Sequence, residues 1–82
     1  MFIIVDVEQA EPGIFGVSVG EAYPSKERAV VACRNLPANH RPGFDPRSLV
    51  IVELRYGAQP RGARGVASDD VEETYTCDGS LR

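Results

Sequence analysis

Eighty-two residues make one domain, because a chain this short cannot hold two hydrophobic cores. Hydrophobic residues are 43% of the chain, enough to exclude wholesale disorder, and with no Trp and few aromatics the core must be Val, Ile, Leu and Ala. A net charge of −3 argues against a general nucleic-acid binder, and no apolar run approaches the roughly 18 residues that span a bilayer.

The chain opens on FIIVDVE, whose β-branched residues predict a strand over Phe2 to Glu8. The apolar run breaks at Asp6, too early for an export signal, so the expected location is the cytoplasm. Pro12-Gly13 closes a turn. From Ile14 to Tyr23 the residues alternate, with Phe15, Val17 and Val19 on one side and Gly16, Ser18 and Gly20 on the other. That pattern is a half-buried strand, and it should form a hairpin with the first.

YPSKERAVVACRNLP follows. Ser25 suits an N-cap, Glu27 meets the helix dipole, and Pro37 is expected to stop the helix. Ala29, Ala32, Cys33 and Leu36 share the face turned to the sheet. Val30 lies on the flank. Val31 points nearly the opposite way, either idle or a contact point.

Residues 37–48 read as a loop, and Leu49 to Tyr56 as the next strand. A right-handed crossover places strand one between strands two and three, antiparallel to both. The helix is expected over Ile3, Val5 and Val7 with Val50, Val52 and Leu54. That would leave Phe2, Ile4, Leu49 and Ile51 as an exposed apolar patch, a surface for a partner or for a second copy. Gly57 to Asp70 reads as a loop. VEETYTC, Val71 to Cys77, alternates as an edge strand that could instead be part of a mobile tail. The expected fold is therefore α+β: ββαβ(β), one helix packed on a mostly antiparallel sheet of three or four strands. Residues 1–56 form the core, and 57–82 a loop with an edge strand or tail of the same domain.

No constellation for catalysis stands out. Gly57 and Gly62 have phosphate-loop spacing, but Ala63 and Arg64 occupy the places that need Lys and Ser or Thr, and Pro60 lacks a backbone donor. His40 is the single histidine, and Cys33 falls on the buried helix face, where a thiol is inert packing. Cys33, His40 and Cys77 are too isolated for zinc. The two cysteines suit a reducing cytoplasm or one disulfide, which requires Cα atoms within about 7 Å. Calcium-loop spacing is missing around Asp69, Asp70, Glu72 and Glu73. No catalytic, cofactor-binding or metal-ligating residue is therefore assigned, and no cofactor is expected.

The charge is blocked along the chain. Residues 1–25 hold four acids and no base, 26–65 eight bases against three acids, and 66–82 five acids against Arg82. Such blocks pair within the fold or steer a charged partner. Arg41, Arg47, Arg61 and Arg64, with Phe44 and Tyr56 nearby, are the candidate nucleic-acid contacts. A sequence pI near 5.0 weighs against that use.

YPSKERAVVACRNL, followed by GFDP and LVIVEL, resembles a pattern found in small ββαβ proteins of bacteria and their phages. The resemblance covers residues 1–56 and transfers no site residues. In size and character the chain is also similar to anti-CRISPR proteins. That likeness implies a non-enzymatic protein that binds another protein, such as a phage-type inhibitor of a bacterial defence or nucleic-acid-handling complex. Asp69, Asp70, Glu72 and Glu73 would then meet a basic groove of the partner. The other expectations are a nucleic-acid-binding accessory protein, a thiol enzyme or redox protein using Cys33 or Cys77, and a self-associating structural protein.

Overall fold

The computed structural model describes residues 1–9, 12–39, 48–55 and 65–82. In chain order they form strand β1 (Phe2–Asp6), β2 (Ile14–Tyr23), helix α1 (Lys26–Asn39), β3 (Leu49–Leu54), β4 (Gly65–Ala67) and β5 (Val71–Thr76). All five strands make one sheet in the order β4-β2-β1-β3-β5, and every neighbouring pair is antiparallel. The α+β class and the central place of β1 are as the sequence predicts. The fifth strand is β4, which lies inside the stretch read as loop. Three residues are too few to show a period of two.

The sheet cannot be flat. Ala67 of β4 sits beside Ile14 at one corner, and Val71 of β5 beside Leu54 at the diagonally opposite corner. A flat five-stranded sheet is about 19 Å wide. The four chain steps from Ala67 to Val71 reach about 14 Å at most. The corners therefore meet only because the sheet curls into a barrel-like coil. A 3-10 turn, Ser68–Asp70, bridges them: the Ser68 N–H donates to the Gly13 carbonyl (3.0 Å), and the Arg55 N–H donates to the Asp70 carbonyl (2.8 Å). Three register shifts ease the curl, in the β1–β2, β2–β4 and β3–β5 pairs. In the first, Gly20 takes φ +79°, open to glycine at no steric cost.

Curling buries both faces. Ile3, Val5, Val50, Val52, Leu54 and Val66 are buried together, with Val7, Phe15, Ala22 and Val71 packed against them. All five strands contribute, which marks this as the concave side. Ile4, Leu49 and Ile51 are buried on the other side under Ala29 and Cys33 of α1, with Phe2 packed against them. The predicted faces are thus reversed: Phe2, Ile4, Leu49 and Ile51 lie beneath the helix and are no open patch. The physical reason is that β1 and β3 are apolar at both parities, so alternation cannot say which side meets the helix. Each fully buried Ile contributes about 1.5–3 kcal/mol.

Helix α1 starts as predicted, with the Arg28 N–H donating to Ser25 Oγ at 3.3 Å. Its backbone stays helical to Asn39, so Pro37 does not end it at once. Proline there removes one bond to the Cys33 carbonyl and leaves the last turn in place. The predicted parity also fails at two bulges. Phe15 packs on the concave side and Val19 under the helix, and likewise Val71 is concave while Tyr75 and Cys77 face the helix.

Cys33 and Cys77 are joined in a disulfide, with Cα atoms 5.8 Å apart. It ties the middle of α1 to the end of β5 and corrects the expectation of inert or reactive thiols. Beyond it the tail folds back on β5 through a Tyr75–Leu81 bridge and bonds from the Arg82 N–H to the Thr74 carbonyl and from the Thr76 N–H to the Ser80 carbonyl. The tail thereby covers the outer edge of β5. No helix among the described residues is long and apolar enough to cross a membrane.

Candidate functional site

Asp69, Asp70, Glu72 and Glu73 come together at one end of the fold, on the 3-10 turn and the start of β5. Asp69, Glu72 and Glu73 are exposed. The sheet adds a fifth carboxylate that the sequence did not suggest: Glu53 of β3 is the direct cross-strand partner of Glu73. Like charges placed opposite one another destabilise a sheet. A row runs across four strands here, Tyr23, Phe2, Glu53 and Glu73.

Tyr75 borders this row. Burial, then the charges of Glu53 and Glu73 and a hydrogen bond to Glu53, push its hydroxyl above the usual phenol range, so it stays a neutral donor. Its ring lies 6.3 Å from that of Phe2, and the Lys26 ammonium sits 4.8 Å above it. Arg55 reaches Glu72 at 3.8 Å, but both side chains are about 60% exposed and such a pair stabilises little. The surface is therefore acidic, with Lys26 and Arg55 at its margins.

A second feature lies on the other side of the helix. Glu21 and Tyr23 of β2 and Glu27, Arg28, Val31 and Ala32 of α1 line an open groove of about 480 Å³. Burial and then the charge of Glu21 raise the Tyr23 hydroxyl. Val31 is 59% exposed, as its place off the buried helix face predicts. The other lining residues could not be found from the sequence, since β2 and α1 meet here only through the fold.

Among the described residues no group of three or more His, Cys, Asp or Glu side chains is placed to hold a metal. His40, Arg41, Phe44, Arg47, Tyr56, Arg61 and Arg64 and the Gly57–Gly62 spacing lie outside the described residues. The apolar set Phe2, Ile4, Leu49 and Ile51 carries no partner surface, because the helix occupies it. The disulfide and the expected cytoplasmic address pull apart, since structural disulfides persist where the surroundings are oxidising. The chain matches no protein-family description, no curated protein and no solved structure.

Proposed function

We propose that the chain is a non-enzymatic binding protein that occludes a basic groove on another protein. The observation that carries this reading is the directly opposed pair Glu53–Glu73, flanked by Glu72, Asp69 and Asp70. Opposed carboxylates cost stability that a Lys at either position would restore. An acidic face kept at that cost suits a partner that neutralises it. Its finer form is a phage-type inhibitor, anti-CRISPR-like in character, whose carboxylates take the place of nucleic-acid phosphates in a bacterial defence or nucleic-acid-handling complex.

The test is a pull-down from bacterial lysate with the oxidised chain, beside a variant carrying Asp69→Lys, Asp70→Lys, Glu72→Lys and Glu73→Lys. The expected outcome is a stoichiometric partner that normally binds nucleic acid, lost on charge reversal and weakened as salt rises through about 0.5 M. Capture that survives both treatments refutes the electrostatic reading. Direct retention of DNA or RNA at low salt refutes it in favour of the arginine-rich loops.

A further inference from the structure

Helix α1 meets β5 and the tail along one seam. Lys26, Val30 and Cys33 form a stripe of the helix, and every second residue from Tyr75 to Gly79 meets it. The Lys26 ammonium sits over the Tyr75 ring, and Cys33 is bonded to Cys77. Val30 packs at Gly79, where an added Cβ would lie 3.0 Å from its Cγ2. A partly exposed cation over a ring and one methyl contact are weak beside a covalent link. β5 also carries a repulsion of its own. Glu53 and Glu73 oppose each other across its pairing with β3, which favours separation of the strands at that end. The bridge holds the other end.

The two sulfurs differ in access. Cys33 is fully buried between α1 and the sheet, and Cys77 is half-buried just past the end of β5. We propose that the Cys33–Cys77 bridge is a redox switch, opened by a small thiol at Cys77, that releases the end of β5 and the tail from α1. The attacking thiolate bonds to Cys77 Sγ, the S–S bond breaks, and Cys33 leaves as a thiolate that takes a proton. A second thiolate then bonds to the sulfur of the attached thiol, and Cys77 leaves and is protonated in turn. One protein disulfide and two thiols thus give two protein thiols and one small disulfide. Cys33 and Ala29 stay packed on Ile4, Leu49 and Ile51, so α1 keeps its place over β1 and β3. The freed strand carries Glu72 and Glu73, so opening it disassembles the acidic face. That consequence rests on the function proposed above, whereas the opening itself does not.

The test uses the full chain and needs no partner, so the switch and the binding reading fail separately. Hydrogen exchange is read by NMR in the cold, well below the melting expected of the reduced chain. It compares the amides of Tyr75 and Thr76 in β5 with those of Ile3 to Val5 in β1. A bridge that only staples the fold lowers the protection of both sets by one factor, because both then open with the whole chain. A switch widens the gap: on reduction Tyr75 and Thr76 should lose at least about tenfold more protection than Ile3 to Val5. Cys77→Ser, which breaks the bridge without a reductant, should reproduce that gap. Glutathione added to the oxidised chain, with free thiols trapped by iodoacetamide, should be found on Cys77, with the alkyl group on Cys33. Equal loss of protection in both sets, an unfolded reduced chain, or glutathione on Cys33 overturns the proposal. So does a folded chain that takes up no glutathione when the urea-unfolded chain does.

Discussion

The disulfide should decide whether this chain stays folded at physiological temperature. It closes a loop across a sequence separation of 44, tying α1 to β5. Loop-closure entropy for that separation amounts to about 4 kcal/mol at 25 °C. A domain of this length has about 4–12 kcal/mol in all, so the bridge supplies a large share. At about 4–8 °C per kcal/mol for a domain of this size, reduction should lower Tm by about 16–32 °C. Reduction removes no atom from buried Cys33 or half-buried Cys77, so the change isolates the cross-link from any cavity. The assay is thermal unfolding by circular dichroism with and without a dithiol reductant, with intact mass confirming the two added hydrogens. The double variant Cys33→Ala with Cys77→Ala should melt no higher than the reduced chain. If the reduced chain melts within about 3 °C of the oxidised one, the cross-link argument fails, and packing of the helix alone holds α1 to β5.

Four further outcomes follow from the packing and the charges. Because both faces of the sheet are buried, Ile3→Ala and Ile4→Ala should each cost about 2–5 kcal/mol in urea denaturation, and a cost below about 0.5 kcal/mol for Ile3→Ala would mean that the concave side is not closed. A Cβ at Gly16 would run into the Val5 side chain and the Asp6 carbonyl, so Gly16→Ala should destabilise by about 1–3 kcal/mol, read as a lower urea midpoint with the same slope. Glu73→Lys replaces an opposed carboxylate and should raise stability by about 0.2–1 kcal/mol at low salt while weakening binding to a basic partner. Asp78 accepts hydrogen bonds from Thr76 Oγ1 and the Ser80 N–H, which hold its carboxyl at about 2, below the ordinary carboxylate range. Its contribution is therefore present above the unfolded value and is lost as pH falls through about 2, and the Ser80 amide shift should titrate with that midpoint.

Much of this fold was legible in local pattern, and the misses share one cause. The β2 strand and the start of α1 at its Ser25 cap depend on alternation and cap chemistry within a few residues. So do the buried face of α1 and the exposure of Val31. The grouping of Asp69, Asp70, Glu72 and Glu73 needed only their closeness in the chain. The sheet face under the helix was beyond that kind of reading, because Phe2 to Val5 and Leu49 to Val52 are apolar at every position. The bulges at Phe15 and Glu72 flip side chains in a way that only partner strands reveal.

By itself, then, the sequence determined the α+β class, the central β1, the helix and its buried stripe, and the acidic character of the last segment. The tertiary structure alone decided the curl that buries both sheet faces, the Cys33–Cys77 bridge, Glu53 opposite Glu73, and the groove where β2 meets α1. Each of these joins residues far apart in the chain. Local periodicity says which neighbours share a face, but it carries no information about which distant residue that face will meet.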